Sequence, residues 1–243
     1  MAAPRLLLLQ ARDAGDPARE HEHDAFADKL GLDPEVLVPH DLLSGAPEPA
    51  VLDRHDAVLV GGSGEYYVSK GNLPHAEAFA DFLREVVERG VPMFASCFGF
   101  QCLTDALGGE IVHDPEHAEV GAFDLELTPE GLDDPLFGEL PTAFRAQLGR
   151  KDRASRLPAE AVPLARSEAA PFQALRVQDR PVWATQFHPE LDQRDNLRRY
   201  ELYLEAYTDG LDEAARRRAL ERFGPSSPEV PRLLPRFLDL VLD

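Results

Sequence analysis

Short apolar runs alternate along the chain with longer stretches in which apolar residues return at helical spacing. Runs this brief suit buried strands, so the alternation predicts an α/β domain: an open, mostly parallel central sheet flanked by helices. Leu6–Leu9, Val36–Val38, Ala57–Val60 and Val91–Ala95 read as successive strands. Residues 17–30 read as a helix, because Asp16 is placed to cap it, Pro17 takes the first helical position and Gly31 follows its end. Phe79, Phe82, Leu83, Val86 and Val87 stand at i, i+3, i+4, i+7 and i+8, one apolar face of a second helix closed by Gly90. The chain then turns at Ser96-Cys97-Phe98-Gly99 into a third helix that ends near Leu107. Shorter strands follow near Ile111 and over Ala122–Leu127, Ala143–Gln147, Phe172–Val177 and Val182–Phe187, spaced as hairpins added to the parallel core. Beyond Glu190, Leu197, Tyr200, Leu204 and Tyr207 form a helical stripe, and Leu211–Phe223 and Val230–Leu242 read as two more helices. The pattern divides the chain into a domain over 1–208 and a helical C-terminal tail over 209–243, an appendage that packs on the domain or on a partner.

Cys97 is the first candidate for chemistry. Phe94-Ala-Ser-Cys97-Phe-Gly99 joins a strand end to a helix start through small residues, the setting of a nucleophile elbow. A thiol there stands above the sheet edge, and the N–H groups and positive end of the following helix favour a thiolate. The plain alternative is a buried cysteine at a helix start, and Cys102, one turn deeper, is placed only to pack. A thiol nucleophile needs a base, and the base needs an orienting acceptor. Gln186-Phe-His188-Pro-Glu190 offers both at the end of the strand Val182–Phe187, which a parallel sheet brings to the carboxyl edge it shares with Cys97. Gly61-Gly62-Ser63-Gly64 ends another strand. A tetrahedral intermediate needs backbone donors unobstructed by side chains, so the N–H groups of Gly62 and Phe98 form the candidate oxyanion hole. Phosphate binding is the competing use of such a loop, but neither Gly-Lys-Ser/Thr nor G-x-G-x-x-G spacing is present.

With Gly61-Gly62, then Cys97-Phe-Gly99-Phe-Gln101, then Gln186-Phe-His188-Pro-Glu190 in this order, the chain resembles the class I glutamine amidotransferases over residues 1–208. The resemblance is to the stand-alone type, similar to the amidotransferase domain of GMP synthase. It implies a flavodoxin-like fold, Cys97 as nucleophile, His188 as base with Glu190 as its partner, Gly62 and Phe98 as oxyanion donors, and Gln101 as a contact to bound glutamine. It also implies hydrolysis of the glutamine side-chain amide to glutamate and ammonia through a γ-glutamyl thioester, with no metal or organic cofactor. Three positions depart from the family pattern: Ala95 stands where glycine is usual, Ser63 where proline is frequent, and Arg150 where relatives often place histidine in His-x-Asp. A hydrolase of γ-glutamyl amides or peptides would use the same three side chains, whereas a non-catalytic binding module would require one of them to be missing.

Composition narrows the partners. The 243 residues, 44% hydrophobic and 28% charged, match a chain that folds around a core. Against 25 Lys and Arg stand 44 Asp and Glu, a net charge of -19 that excludes general nucleic-acid or anionic-membrane binding. Six Arg against seven acids leave residues 209–243 at -1, so the remaining -18 lies on residues 1–208. No run approaches the roughly 18 to 20 apolar residues of a membrane span, and Leu6–Leu9 is too short for a signal-peptide core, so the sequence reads as cytoplasmic. Two cysteines make neither a disulfide framework nor a zinc pattern. His21 and His23 flank Glu22, and His113 and His117 bracket Asp114 and Glu116; each pair lacks a further ligand at fixed spacing and reads as solvated surface. No ATP-binding loop is present, so ammonia made here would go to a separate synthetase subunit.

Overall fold

A computed structural model describes residues 4–208 and 213–242. In chain order the elements begin with β1 (Leu6–Ala11), α1 (Pro17–Leu30), β2 (Leu37–Asp41), β3 (Ala57–Ser63), α2 (Ala76–Arg89), β4 (Met93–Ser96) and α3 (Phe98–Ala106). They continue with β5 (Glu110–His113), β6 (Glu119–Leu127), the single turn α4 (Pro129–Leu132), β7 (Ala143–Arg150), β8 (Asp152–Arg156), β9 (Ala161–Arg166), β10 (Ala174–Val177) and β11 (Val182–Thr185). The last elements are α5 (Gln193–Leu202), α6 (Leu204–Thr208), α7 (Glu213–Glu221) and α8 (Leu233–Leu242). The expected caps of α1 form: Asp16 accepts from the Ala18 N–H at 2.8 Å, and Gly31 closes the helix at φ 67°.

Nine strands form one sheet in the order β2-β1-β3-β4-β11-β10-β9-β6-β7. The half from β2 to β11 is parallel, and β10, β9, β6 and β7 extend it antiparallel. This is the mostly parallel, helix-flanked fold the alternation predicted; of the later strands, β6, β7 and β10 extend the sheet antiparallel as expected, whereas β5 lies in a separate ribbon and β11 joins the parallel half beside β4. Two strands escaped the sequence pattern. Asp152–Arg156 pairs with β5 in a separate ribbon whose charged residues hide any alternation, and β9 carries Pro163, which argues locally against a strand.

Alternation of side chains along each strand puts one core on either face of the sheet. Leu6 and Leu8 of β1 pack with Phe26, Leu59, Phe94 and Trp183 on the α1 face. Leu7 and Leu9 pack with Val58, Val60, Phe79, Leu83 and Leu103 on the face covered by α2 and α3. Of the two packings expected for the C-terminal tail, α8 takes the one on the domain. Phe237 of α8 is fully buried on the α1 face, with its ring 5.7 Å from Phe94 and 6.0 Å from Trp183. Leu233, Leu234 and Leu238 join the same core. Residues 211–212, the start of the expected helix Leu211–Phe223, lie outside the described residues, and α7 accounts for most of the rest. Among the described residues no helix is long and apolar enough to cross a membrane.

Candidate active site

The carboxyl ends of β3, β4 and β11 converge because these strands are parallel neighbours, and each leads into one of the three motifs. β4 ends at Ser96, and Cys97 then takes φ 51° and ψ -99°, a strained conformation for a residue with a side chain, before α3 begins at Phe98. Its N–H donates to the Thr185 carbonyl of β11 at 2.7 Å, which ties the elbow to the strand carrying the histidine motif. Gly99 follows from packing: a Cβ there would meet Val60 Cβ at 2.8 Å, so only glycine lets α3 lie this close to β3. Ala95, in the place of the usual glycine, is fully buried and small enough for the turn.

His188 lies just past β11, its N–H donating to the Gln147 carbonyl of β7 at 2.9 Å. Its Nδ1 is 2.6 Å from Glu190 Oε1, which also accepts from Ser96 Oγ at 3.2 Å. The imidazole faces the Cys97 sulfur. Burial opposes a charge on His188, but Glu190 and Cys97 outweigh it and push the pKa up to about 9. Gln186 Nε2 donates to Cys97 Sγ at 3.6 Å, and Gln101 Nε2 donates to Gln186 Oε1 at 3.1 Å and to the Asp152 carbonyl at 3.2 Å. Cys97, His188, Glu190 and Gln101 are therefore brought to one place, each of them buried. Cys102 faces an apolar cavity of about 110 Å³ lined with Tyr67, Leu73, Phe79 and Phe98, and burial raises its thiol pKa well above the ordinary value.

The glycine turn holds a feature that the sequence hid. Gly62 N–H donates to Glu22 Oε1 at 3.0 Å, so the carboxylate occupies this candidate oxyanion donor. A Cβ on Gly61 would sit 2.5 Å from Glu22 Cδ, and one on Gly62 3.1 Å from His188 Cε1; the glycine pair admits a carboxylate on one side and an imidazole on the other. Glu22 is fully buried, not on the solvated face expected for α1. The signal was its place four residues after Ala18 and four before Phe26, on the helix stripe that packs inward. Arg12 grips it through Nη2 at 2.8 Å and Nε at 3.2 Å, and Gln10 Nε2 adds 3.1 Å. Burial alone would raise the Glu22 pKa, but Arg12 and Arg199 outweigh it and hold the carboxyl below its ordinary value.

The remaining candidates sort by contact. Arg150 is buried in an ion pair with Glu119, which also accepts from Gln173 Nε2 at 2.6 Å, so its side chain is occupied in the sheet. Asp152 accepts from Ser69 Oγ at 2.7 Å and lies 2.9 Å from His113 Nδ1, tying β8 to the loop after β3. Tyr67 in that loop feels the Cys97 charge, while Tyr66 donates to Asp13 at 2.7 Å. Instead of lying on a solvated face, His21 is mostly buried, 3.0 Å from Asp195. Among the described residues no group of three or more His, Cys, Asp or Glu is arranged to hold a metal ion.

Comparison with known proteins places this geometry. The chain is similar to GMP synthase [glutamine-hydrolyzing] of Aeropyrum pernix, with 34% identity over 163 residues, 67% of this chain and 29% of that protein. To the enzyme of the same description from Thermosipho africanus it is 33% identical over 155 residues, 64% of this chain and 27% of that one. The chain thus spans little more than a quarter of the length of these relatives. In fold it is similar to a glutamine amidotransferase from Thermotoga maritima, with a TM-score of 0.72, 21% identity and all of both chains covered. It also resembles a glutamine amidotransferase from Methylobacillus flagellatus, with a TM-score of 0.72, 19% identity and coverage of 98% of this chain and 94% of that one. The family described as Glutamine amidotransferase class-I matches residues 29–200, a span that holds the glycine turn, the elbow and the histidine motif together. The chain belongs to the class-I glutamine amidotransferase family.

Proposed function

We propose that this chain hydrolyses the side-chain amide of glutamine, with Cys97 as nucleophile, His188 as acid and base, and Glu190 as the group that orients His188. The observation that carries the reading is the 2.6 Å contact of His188 Nδ1 with Glu190 Oε1, on an imidazole that faces a strained elbow cysteine. Engaging Nδ1 fixes the tautomer and leaves Nε2 for the sulfur and the leaving group. The thiolate attacks the amide carbon, and the Phe98 N–H, which has no intrahelical acceptor at the first turn of α3, donates to the oxygen that becomes negative. His188 protonates the departing nitrogen, ammonia leaves, and a γ-glutamyl thioester remains. His188 then takes a proton from water as the hydroxide adds to the thioester carbon, the C–S bond breaks, and glutamate leaves.

Gly62 is the second donor in this scheme, and its peptide must turn away from Glu22 before it can serve. Gln101 is the contact to bound glutamine. With its nitrogen engaged by Gln186 and Asp152, that contact falls to Oε1, an acceptor suited to an N–H of the substrate. The ammonia goes to a separate synthetase subunit, a reading supported by the chain's similarity to about a quarter of the length of GMP synthase-type relatives.

Release of glutamate and ammonia from glutamine, measured on the purified chain against γ-glutamyl amides bulkier at nitrogen, tests this reading. Glutamine is the preferred substrate, and its turnover falls as pH rises past about 9, because the imidazolium that expels ammonia loses its proton there. Turnover of bulky amides with none of glutamine would replace the reading with a γ-glutamyl amide hydrolase.

A further inference from the structure

Behind the site a second set of charges is sealed from solvent. Arg199 of α5 is almost completely buried between two carboxylates, with Nη2 3.6 Å from Glu22 Oε1 and Nη1 4.0 Å from Glu190 Oε1. Neither distance is a hydrogen bond, and Arg199 Nε and Nη2 have no hydrogen-bond partner among the described residues. A buried guanidinium held this way acts through its charge. Arg12 is already bound by Glu22 through two nitrogens, which leaves Arg199 as the cation facing Glu190. Each carboxylate holds one part of the site: Glu22 the Gly62 peptide, and Glu190 the His188 ring.

We propose that Arg199 and Glu22 are positioning residues of the Cys97–His188–Glu190 site, and that their buried charge balance sets the pH range over which it works. The inference rests on the glutaminase reading for its activity readout. The other groups around the cysteine–histidine pair are Glu190 after β11, Tyr67 after β3 and Tyr207 of α6; Arg12 after β1 lies beyond them beside Gly62, with Tyr203 and Asp16 against it. Burial pushes the phenols of all three tyrosines up, so they stay neutral at working pH. Deleting a nearby cation makes every proton at the site harder to remove, and deleting a nearby anion does the reverse.

The test is the pH profile of glutamine turnover, with the midpoint of Cys97 alkylation by iodoacetamide, read by mass spectrometry, as a second readout that needs no turnover. Arg199→Met moves both limbs and the alkylation midpoint up by about one pH unit, and Glu22→Gln moves them down by about as much. Arg199→Lys restores the wild-type positions. The double variant Arg199→Met/Glu22→Gln, which deletes one charge of each sign, returns close to them. Cooperative melting confirms that each variant is folded. If Arg199→Met does not fold, Glu22→Gln still tests the sign, moving the midpoints down while Arg199→Lys leaves them in place. Folded Arg199→Met or Glu22→Gln whose midpoints stay put, or both moving the same way, would overturn the proposal. Failure of the glutaminase reading shows separately, as absence of glutamate from the wild type while the alkylation midpoints still shift.

Discussion

Glutamine hydrolysis falls by about 10⁴-fold or more in Cys97→Ala, because removing the proposed nucleophile leaves only binding and oxyanion stabilisation. Cys102→Ala keeps nearly all of the activity. The two thiols lie five residues apart at one helix start and differ in backbone conformation and in what surrounds them. Cys97 stands at the strained elbow beside the His188 imidazole and the Gln186 amide. Cys102 looks into an apolar cavity where burial disfavours its thiolate. Its loss removes packing atoms and costs about 1 kcal/mol, seen as a small drop in the denaturation midpoint. Steady-state assays of both variants beside the wild type check the contrast, and hydrolysis that survives Cys97→Ala removes the assigned nucleophile.

Phe237→Ala destabilises the fold by about 4 kcal/mol, since it empties a fully buried aromatic site between Phe94 and Trp183. For a chain of this size that lowers the melting temperature by roughly 12 °C. Leu220→Ala in α7, where the side chain is 48% exposed, stays within about 0.5 kcal/mol. The contrast distinguishes a C-terminal helix that completes the α1 face from one that merely follows the domain. Equal small effects of the two substitutions in thermal melts would contradict a role for α8 in the α1-face core.

These predictions draw unequally on what the sequence displays. The parallel strands, the elbow and the His-Pro-Glu stretch are local patterns: apolar runs, small residues and fixed spacing mark them wherever they occur. Gly99 could be read as part of the elbow, yet its necessity comes from Val60, a contact visible only once α3 lies on β3. The role of α8 was obscured because Leu233, Leu234, Phe237 and Leu238 make an apolar stripe whose partner is far away in the chain. Glu22 was the deepest omission. A glutamate between two histidines reads as surface, and what buries it, Arg12 and Arg199, joins three distant segments through charge. Its contact with Gly62 changes the meaning of the Gly-Gly pair, which accommodates a buried carboxylate where only an oxyanion donor was expected.

Acid-quenched mixtures of the chain with glutamine, digested and analysed by mass spectrometry, measure the central claim most directly. The account predicts a γ-glutamyl adduct, glutamine less ammonia, on the peptide carrying Cys97, and no such adduct in Cys97→Ala. An adduct on Cys102, or turnover of glutamine with no adduct on either cysteine at any quench time, would contradict it.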